Sequence, residues 1–189
     1  PHHVSSAASD VYKRQPDNKS APAVSMASRA LGNPRAGFVL ALVVIVLDQY
    51  TKMWASNELV YRVPVEITSW FDLMLAHNTG AAFSFLASAG GWQRWFLAVV
   101  AILVSVFVAV WLTRLEPQQR ILGVSLGLIL GGGLGNLIDR VTLGYVVDFI
   151  SWHYQNWYWP AFNIADSAIF CGAILLLWDS FSSESGKSV

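Results

Sequence analysis

Four apolar stretches along the chain are each long enough to cross a membrane as a helix. They cover residues 37–55, 94–112, 121–139 and 162–179. A helix of about 20 residues spans the hydrocarbon core of a bilayer and satisfies its own backbone hydrogen bonds there. The pattern therefore predicts an all-α membrane protein with four transmembrane helices.

Basic residues lie next to the helix ends that would share one side of the membrane. Since positively charged loop residues favour the cytoplasmic side, their distribution predicts that both termini are cytoplasmic. The segments 56–93 and 141–160 are then expected to face outward. The basic residues are Arg29, Arg35, Arg114, Arg120 and Lys187.

The segment 56–93 has strand-like patterns of its own. Residues 59–68 and 71–75 contain β-branched and aromatic residues that partly alternate with polar ones, a pattern typical of short strands. Aromatic residues also cluster near the predicted outer helix ends, where they commonly form a belt at the membrane surface. The sequence thus predicts a small outward-facing β-rich subdomain beside the helices. The aromatic residues are Trp70, Trp92, Trp95, Trp152, Trp157, Tyr158 and Trp159.

The ends of the chain differ from this core. Residues 1–25 are polar and show neither helical nor strand periodicity, which predicts a disordered leader, either native or foreign to the protein. Met26 is a candidate start, because two arginines then stand just before the first helix. We interpret 26–181 as a single integral-membrane domain and 182–189 as a cytoplasmic tail.

Composition supports a membrane protein and restricts its chemistry. The 189 residues are 54% hydrophobic and 13% charged, and the mean hydropathy of +0.46 is too high for an ordinary soluble domain. The net charge is zero and no long basic run occurs, so nucleic-acid binding is not expected. The lone cysteine, Cys171, excludes an intramolecular disulfide, and the sequence contains no HExxH, GxSxG or phosphate-loop motif. Chemistry would therefore depend on carboxylates and amides.

Polar residues within the predicted helices are candidates for function because they are costly in a membrane. Asp48 and Lys52 are four residues apart on one helix face, which suits a structural ion pair as well as a catalytic one. Asn136, Asp139 and Arg140 form one polar edge at the end of the third helix. A run of glycines in that helix predicts close helix packing. These are Gly131, Gly132, Gly133 and Gly135.

Asp148 and Asp166 are the strongest candidates for a catalytic pair. Asp148 stands among β-branched and aromatic residues, where loss of solvation should raise its pKa. Asn163 and Asp166 share one face of the fourth helix near its outer end. Two half-buried carboxyl groups there could share a proton and activate water. The alternatives are helix-packing polar groups, a non-enzymatic assembly factor, or a transporter or proton channel that these carboxylates line together with Asp48 and Asp139.

Five short segments stand out between about residues 38 and 178. They are Asp48–Lys52, His77–Ser84, Gly135–Arg140, Val146–Ile150 and Phe162–Ser167. Together, and in this order, they resemble the segments of the lipoprotein signal peptidases, the signal peptidase II family. Their joint occurrence is far more specific than any one segment alone.

The resemblance implies a bacterial inner-membrane aspartyl endopeptidase with four membrane helices, a β-rich outer subdomain and a short amphipathic helix. The implied substrates are prolipoproteins whose lipobox cysteine carries diacylglycerol, and cleavage occurs just before that cysteine. Contact with membrane lipid is expected, whereas a metal or organic cofactor is not. Inhibition by globomycin-type cyclic peptides is also expected.

The resemblance assigns roles to matching positions. Asp148 and Asp166 match the catalytic pair, in which one aspartate takes a proton from water and the other, as an acid, polarises the scissile carbonyl. Arg140 is expected to bind substrate carbonyls and to keep a neighbouring carboxylate ionised. The other positions that support the site or contact substrate are Asp48, Lys52, Asn78, Gly80, Asn136, Asp139, Asn163 and Ala165.

Overall fold

Four long helices make up most of the fold, which is given by a computed structural model describing residues 34–80, 90–155 and 157–185. The helices are α1 Pro34–Glu58, α2 Gln93–Thr113, α3 Arg120–Thr142 and α4 Ile164–Ser185. Each is long and apolar enough to cross a membrane. Large apolar side chains such as Leu42, Leu103 and Phe170 are exposed on them, as expected for contact with lipid. The prediction of four membrane helices is confirmed.

Helix α3 is the centre of the bundle and contacts each of the other three helices. The glycines of α3 explain how the neighbouring helices can approach it closely. A Cβ atom on Gly131 would lie 2.7 Å from the carbonyl oxygen of Ala41 in α1, and one on Gly132 would meet the carbonyl oxygen of Ala165 in α4. The predicted packing role is therefore right on both sides of α3. Gly133 is different, because within the described part of the chain a Cβ atom there would meet only the Ser105 hydroxyl oxygen, at 3.5 Å.

A small antiparallel sheet covers one end of the bundle, here called the sheet end. Its strands pair in the order β1-β2-β3-β4. The predicted β-rich subdomain is confirmed, although its longest strand comes from the segment after α3. The strands are β1 Val65–Thr68, β2 Phe71–Asn78, β3 Val146–Tyr154 and β4 Trp157–Tyr158.

The chain passes from α3 into β3 through a tight turn. The backbone N–H groups of Leu143 and Gly144 both donate to the carbonyl oxygen of Asp139 and so end the helix. Gly144 has a φ of +91°, a conformation that glycine adopts without strain. Asp148 then follows four residues further on, in the strand that lies next to the start of α4.

Several predictions from the sequence fall on residues that the structure does not describe. The leader over 1–25, the candidate start Met26, Arg29 and Lys187 lie outside the described residues, and so do residues 81–84, the second half of the His77–Ser84 segment. Within the described ranges, the only helices are the four long ones. The short amphipathic helix therefore stays a prediction.

Candidate active site

Asp148 and Asp166 both lie at the sheet end and line the same cavity. Asp148 is the third residue of β3 and is only 2% exposed. Asp166 lies in the first turn of α4 and is half-buried. The backbone of Phe162, just before α4, exchanges hydrogen bonds with Ile150 of β3. This pairing brings the start of α4 beside Asp148.

The residue between the two carboxyl groups is Asn163, which is fully buried. Its side-chain oxygen accepts the backbone N–H of Asp166 at 2.9 Å, and its own backbone N–H donates to a carboxylate oxygen of Asp166 at 3.3 Å. This reciprocal pair is a capping box at the start of α4. The Asn163 amide nitrogen also donates to Asp148 at 2.7 Å. One side chain therefore caps the helix and holds both aspartates.

Two further asparagines complete the hydrogen bonding of the pair. The amide nitrogen of Asn78, at the end of β2, donates to the second oxygen of Asp148 at 3.1 Å. The amide nitrogen of Asn136, in α3, donates to Asp166 at 2.7 Å. Each of the four carboxyl oxygens thus accepts at least one N–H group.

A buried cluster of charges lies behind the pair. The Lys52 ammonium contacts a carboxylate oxygen of Asp48 at 2.8 Å and one of Asp139 at 2.9 Å, and it donates to the Asn136 side-chain oxygen at 2.9 Å. All three charged side chains are at most 3% exposed, and none lines the cavity. Lys52 thereby fixes the orientation of the Asn136 amide, which in turn holds Asp166. This geometry favours a structural role for the Asp48–Lys52 ion pair over a catalytic one.

The same charges also bind backbone groups of other elements. Asp48 accepts the N–H of Ala165 in α4 at 2.9 Å, and Asp139 accepts the N–H of Val147 in β3 at 3.0 Å. Gln49 donates to Asp139 at 2.9 Å. Sequence reasoning did not select Gln49 as a site residue, although it stands next to Asp48 in a polar segment. The cluster therefore connects α1, α3, α4 and β3.

Arg140 lies at the edge of the cavity and holds the chain after β2. Its guanidinium donates to the carbonyl oxygen of Gly80 at 3.0 Å and to that of Asn136 at 3.2 Å. The N–H of Gly80 donates in turn to the side-chain oxygen of Asn78 at 3.0 Å. Arg94 of α2, which sequence reasoning missed, donates to the carbonyl oxygen of Arg140 at 2.6 Å. It was missed because only the folded chain brings the start of α2 to the end of α3.

The surroundings of Asp148 favour its protonated form. Burial, followed by the negative charge of Asp166, raises the pKa of Asp148 from 3.8 to about 7, against the opposing effect of the N–H groups of Asn78 and Asn163. The raised pKa expected from the sequence is thus borne out. Near neutral pH, a substantial fraction of Asp148 carries a proton and can act as an acid.

The cavity that contains the pair has a volume of about 1330 Å³ and two kinds of lining. At the sheet end it carries the two aspartates together with Asn78, Asn136 and Arg140. Elsewhere it is lined by apolar residues of α2, α3 and α4, which are the membrane helices. The polar end of the cavity is therefore continuous with an apolar groove between the membrane helices.

Four membrane helices with two carboxyl groups that share a hydrogen-bonding asparagine at one end are typical of a membrane peptidase of the aspartic class. A family model described as "Signal peptidase (SPase) II" matches residues 40–182. The chain belongs to this family, whose members cleave the signal peptides of prolipoproteins. Membership sets aside the transporter and assembly-factor hypotheses.

Curated relatives and a solved structure agree with this assignment. A lipoprotein signal peptidase of Teredinibacter turnerae is 58% identical over 141 residues, which cover 75% of this chain and 84% of the relative. One of Pseudomonas putida is 50% identical over 164 residues, covering 82% and 96%. A bacterial membrane enzyme solved by the in meso method at 2.3 Å is 27% identical with a TM-score of 0.73, covering 82% of this chain and 92% of that one.

Proposed function

We propose that Asp148 and Asp166 form the catalytic pair with which this peptidase cleaves diacylglyceryl-modified prolipoproteins just before the lipobox cysteine. The observation that carries the proposal is Asn163, which hydrogen-bonds both carboxyl groups at the polar end of an apolar groove. A substrate whose scissile bond is polar and whose neighbouring cysteine is lipid-modified needs both environments side by side.

The different exposures of the two aspartates suggest their roles. Asp166 is the less buried of the two, so it is the better placed to contact water as a carboxylate. In the proposed reaction it takes a proton from the attacking water, while Asp148 donates a hydrogen bond to the scissile carbonyl oxygen. The tetrahedral intermediate then collapses as the C–N bond breaks and the amine of the cysteine receives the proton. No covalent enzyme intermediate is required.

The remaining residues have supporting roles in this proposal. Asn78 and Arg140 line the polar end of the cavity and both hydrogen-bond Gly80, so these three residues would contact the substrate backbone. The structure gives Arg140 a bond to the Gly80 carbonyl, so its proposed contact with substrate carbonyls stays a prediction. The positioning residues are Asp48, Lys52, Asn136, Asp139, Asn163 and Ala165.

For the orientation in the membrane, we propose cytoplasmic termini and an active site on the outer, periplasmic side. Arg114 directly follows α2 and Arg120 begins α3, at the end of these helices opposite the carboxyl pair. Basic residues in short loops favour the cytoplasm. The lipid chains of a substrate can then stay in the outer half of the bilayer while its peptide reaches the pair.

The proposal is tested by incubating the purified full-length protein with a lipobox peptide whose cysteine carries diacylglycerol, followed by mass spectrometry. The expected products result from a single cut just before the modified cysteine. The unmodified peptide is the control and should be cleaved much more slowly. We expect globomycin-type cyclic peptides to inhibit the reaction. Failure to cut the modified peptide, or cleavage at another bond, would contradict the proposal.

A further inference from the structure

The floor of the cavity is one face of α3 and changes character along its length. Ile129 and Leu130 make the floor apolar at membrane depth, whereas Asn136 and Arg140 make it polar at the sheet end. Gly133 stands between the two parts. A helix rises by about 1.5 Å per residue, so Gly133 lies only about 4.5 Å along the axis from Asn136, whose amide holds Asp166. The lowest point of the floor is therefore just below the catalytic pair.

Close helix packing does not explain glycine at this position. The glycines on both sides are needed for packing, since a Cβ atom on Gly131 would lie 2.7 Å from the backbone of α1 and one on Gly135 would lie 2.6 Å from the Asp48 carboxylate. Among the described residues, a Cβ atom on Gly133 would make one ordinary contact, at 3.5 Å from the hydroxyl oxygen of Ser105 in α2. Alanine would therefore fit among the described residues, and Gly133 itself lines the cavity.

The walls of the cavity at this depth are apolar and come from two helices. Val104 of α2 and Ile169 of α4 line it, and both helices pack against α3. A groove with apolar walls and a low floor at membrane depth can take hydrocarbon. Its width beside the carboxyl pair depends on how little volume position 133 fills.

We propose that Gly133 is a specificity-determining residue, whose missing side chain leaves room for the two-chain glyceryl group on the substrate cysteine. The inference rests on the proposed function. The cysteine follows the scissile bond directly, so the start of both acyl chains is separated from the carboxyl pair by no more than the length of one cysteine side chain and one glyceryl unit. This branch point is the widest part of the lipid, and Gly133 provides space at that depth.

The test compares three variants on two substrates. Gly133→Leu fills the proposed space, and Gly133→Ala adds only the methyl group that fits. Ile138→Phe is the matched control, because it enlarges a side chain of the same helix that is exposed outside the cavity. The substrates are the lipobox peptide with a diacylglyceryl cysteine and the same peptide with a monoacylglyceryl cysteine. KM, kcat and the melting temperature in detergent are measured for each protein.

Gly133→Leu should lose at least about tenfold in kcat/KM on the two-chain substrate, mostly through KM, since even one misplaced methylene in a closed site has an effect of this size. Its loss on the one-chain substrate should be several times smaller. Gly133→Ala should lose less than Gly133→Leu on the two-chain substrate, and Ile138→Phe should stay near wild type on both substrates. A purely structural role of Gly133 would lower both activities equally, together with the melting temperature.

Equal losses on the two substrates, or no loss, would overturn the inference. If Gly133→Leu does not fold, Ser105→Val narrows the same space from the opposite wall and should show the same preference for one chain. If neither Gly133→Leu nor Ser105→Val folds, the space serves helix packing, and this result would also overturn the inference. The proposed function fails separately, if the wild-type protein does not cleave the diacylglyceryl peptide.

Discussion

The proton on Asp148 is the single-residue feature that most directly controls how the protein responds to pH. Its carboxyl group is buried beside a second carboxyl group, and its pKa of about 7 lies well above the ordinary value of 3.8. In the unfolded chain the group is already ionised above about pH 4. Between that pH and about 7, the folded state holds a proton that the unfolded state has lost, so stability decreases as the pH rises.

Asp148→Asn removes this titration. From pH 5 to pH 8, the free energy of unfolding of the variant relative to wild type should therefore rise by roughly 2–3 kcal/mol. Denaturation in detergent at several pH values measures this difference. Glu116→Gln, in the exposed loop between α2 and α3, is the control and should follow wild type. Parallel curves for Asp148→Asn and wild type would show that the carboxyl group titrates at its ordinary pKa.

For single residues, the sequence predicted the chemistry of the site better than it predicted the contacts between side chains. The apolar neighbours of Asp148 were enough to predict a raised pKa, and the helical spacing placed Asn163 on the same face as Asp166. The bond from Asn163 to Asp148 could not be predicted, because it depends on the pairing of Ile150 with Phe162 across two segments. A spacing of 15 residues through an irregular connection carries no periodic signal.

At the scale of elements, helices α1, α3 and α4 and strand β3 are joined by buried charges as well as by apolar packing. The Lys52 ammonium lies between two carboxylates and one amide oxygen, on helices α1 and α3. A buried charge is stable only while its partners remain, because its hydration has been lost. The cluster is therefore sensitive to the removal of one member.

Lys52→Met should destabilise the protein by about 3–5 kcal/mol, since it leaves the carboxylates of Asp48 and Asp139 buried without a cation. The double variant Lys52→Met with Asp139→Asn should recover part of that loss, because it removes one of the uncompensated charges. Melting temperatures in detergent compare the three proteins. A Lys52→Met protein as stable as wild type would show that solvent reaches the cluster.

The sequence predicted only part of the charged cluster around Lys52. The spacing of four residues placed Lys52 beside Asp48 on α1, and a run of glycines indicated close packing of α3. The third partner, Asp139, depends on the register between two helices that are distant in sequence. The same limit applies to Gly133, because the sequence cannot show which glycine of a run faces a neighbouring helix and which faces a cavity.

At the scale of the whole molecule, function depends on which end of the bundle faces outward. The carboxyl pair lies at the sheet end, and the loop with Arg114 and Arg120 lies at the other. The four helices were predictable because each apolar stretch is long and continuous. The sheet was predictable only in part, since β3 resembles a buried apolar segment until its pairing with β2 is known.

Orientation is tested by labelling single cysteines in intact cells, in a Cys171→Ser background. Val60→Cys lies on the sheet side and Gln118→Cys lies in the loop between α2 and α3; both positions are exposed. A membrane-impermeant maleimide should label the first and not the second, whereas both should react after the cells are opened. The reverse pattern would place the carboxyl pair in the cytoplasm and contradict the proposed substrate.

The central claim is that Asp148 and Asp166 act as one catalytic unit. Its most direct test is the cleavage rate of the diacylglyceryl lipobox peptide by Asp148→Asn, Asp166→Asn and the double variant, all inserted in membranes. Each single variant should lose at least about a thousandfold in kcat, and the double variant should be hardly slower, because either change disables the same unit. Asp72→Asn, which changes a buried aspartate of the same sheet outside the cavity, should keep its activity. Near wild-type cleavage by either single variant of the pair would contradict the account.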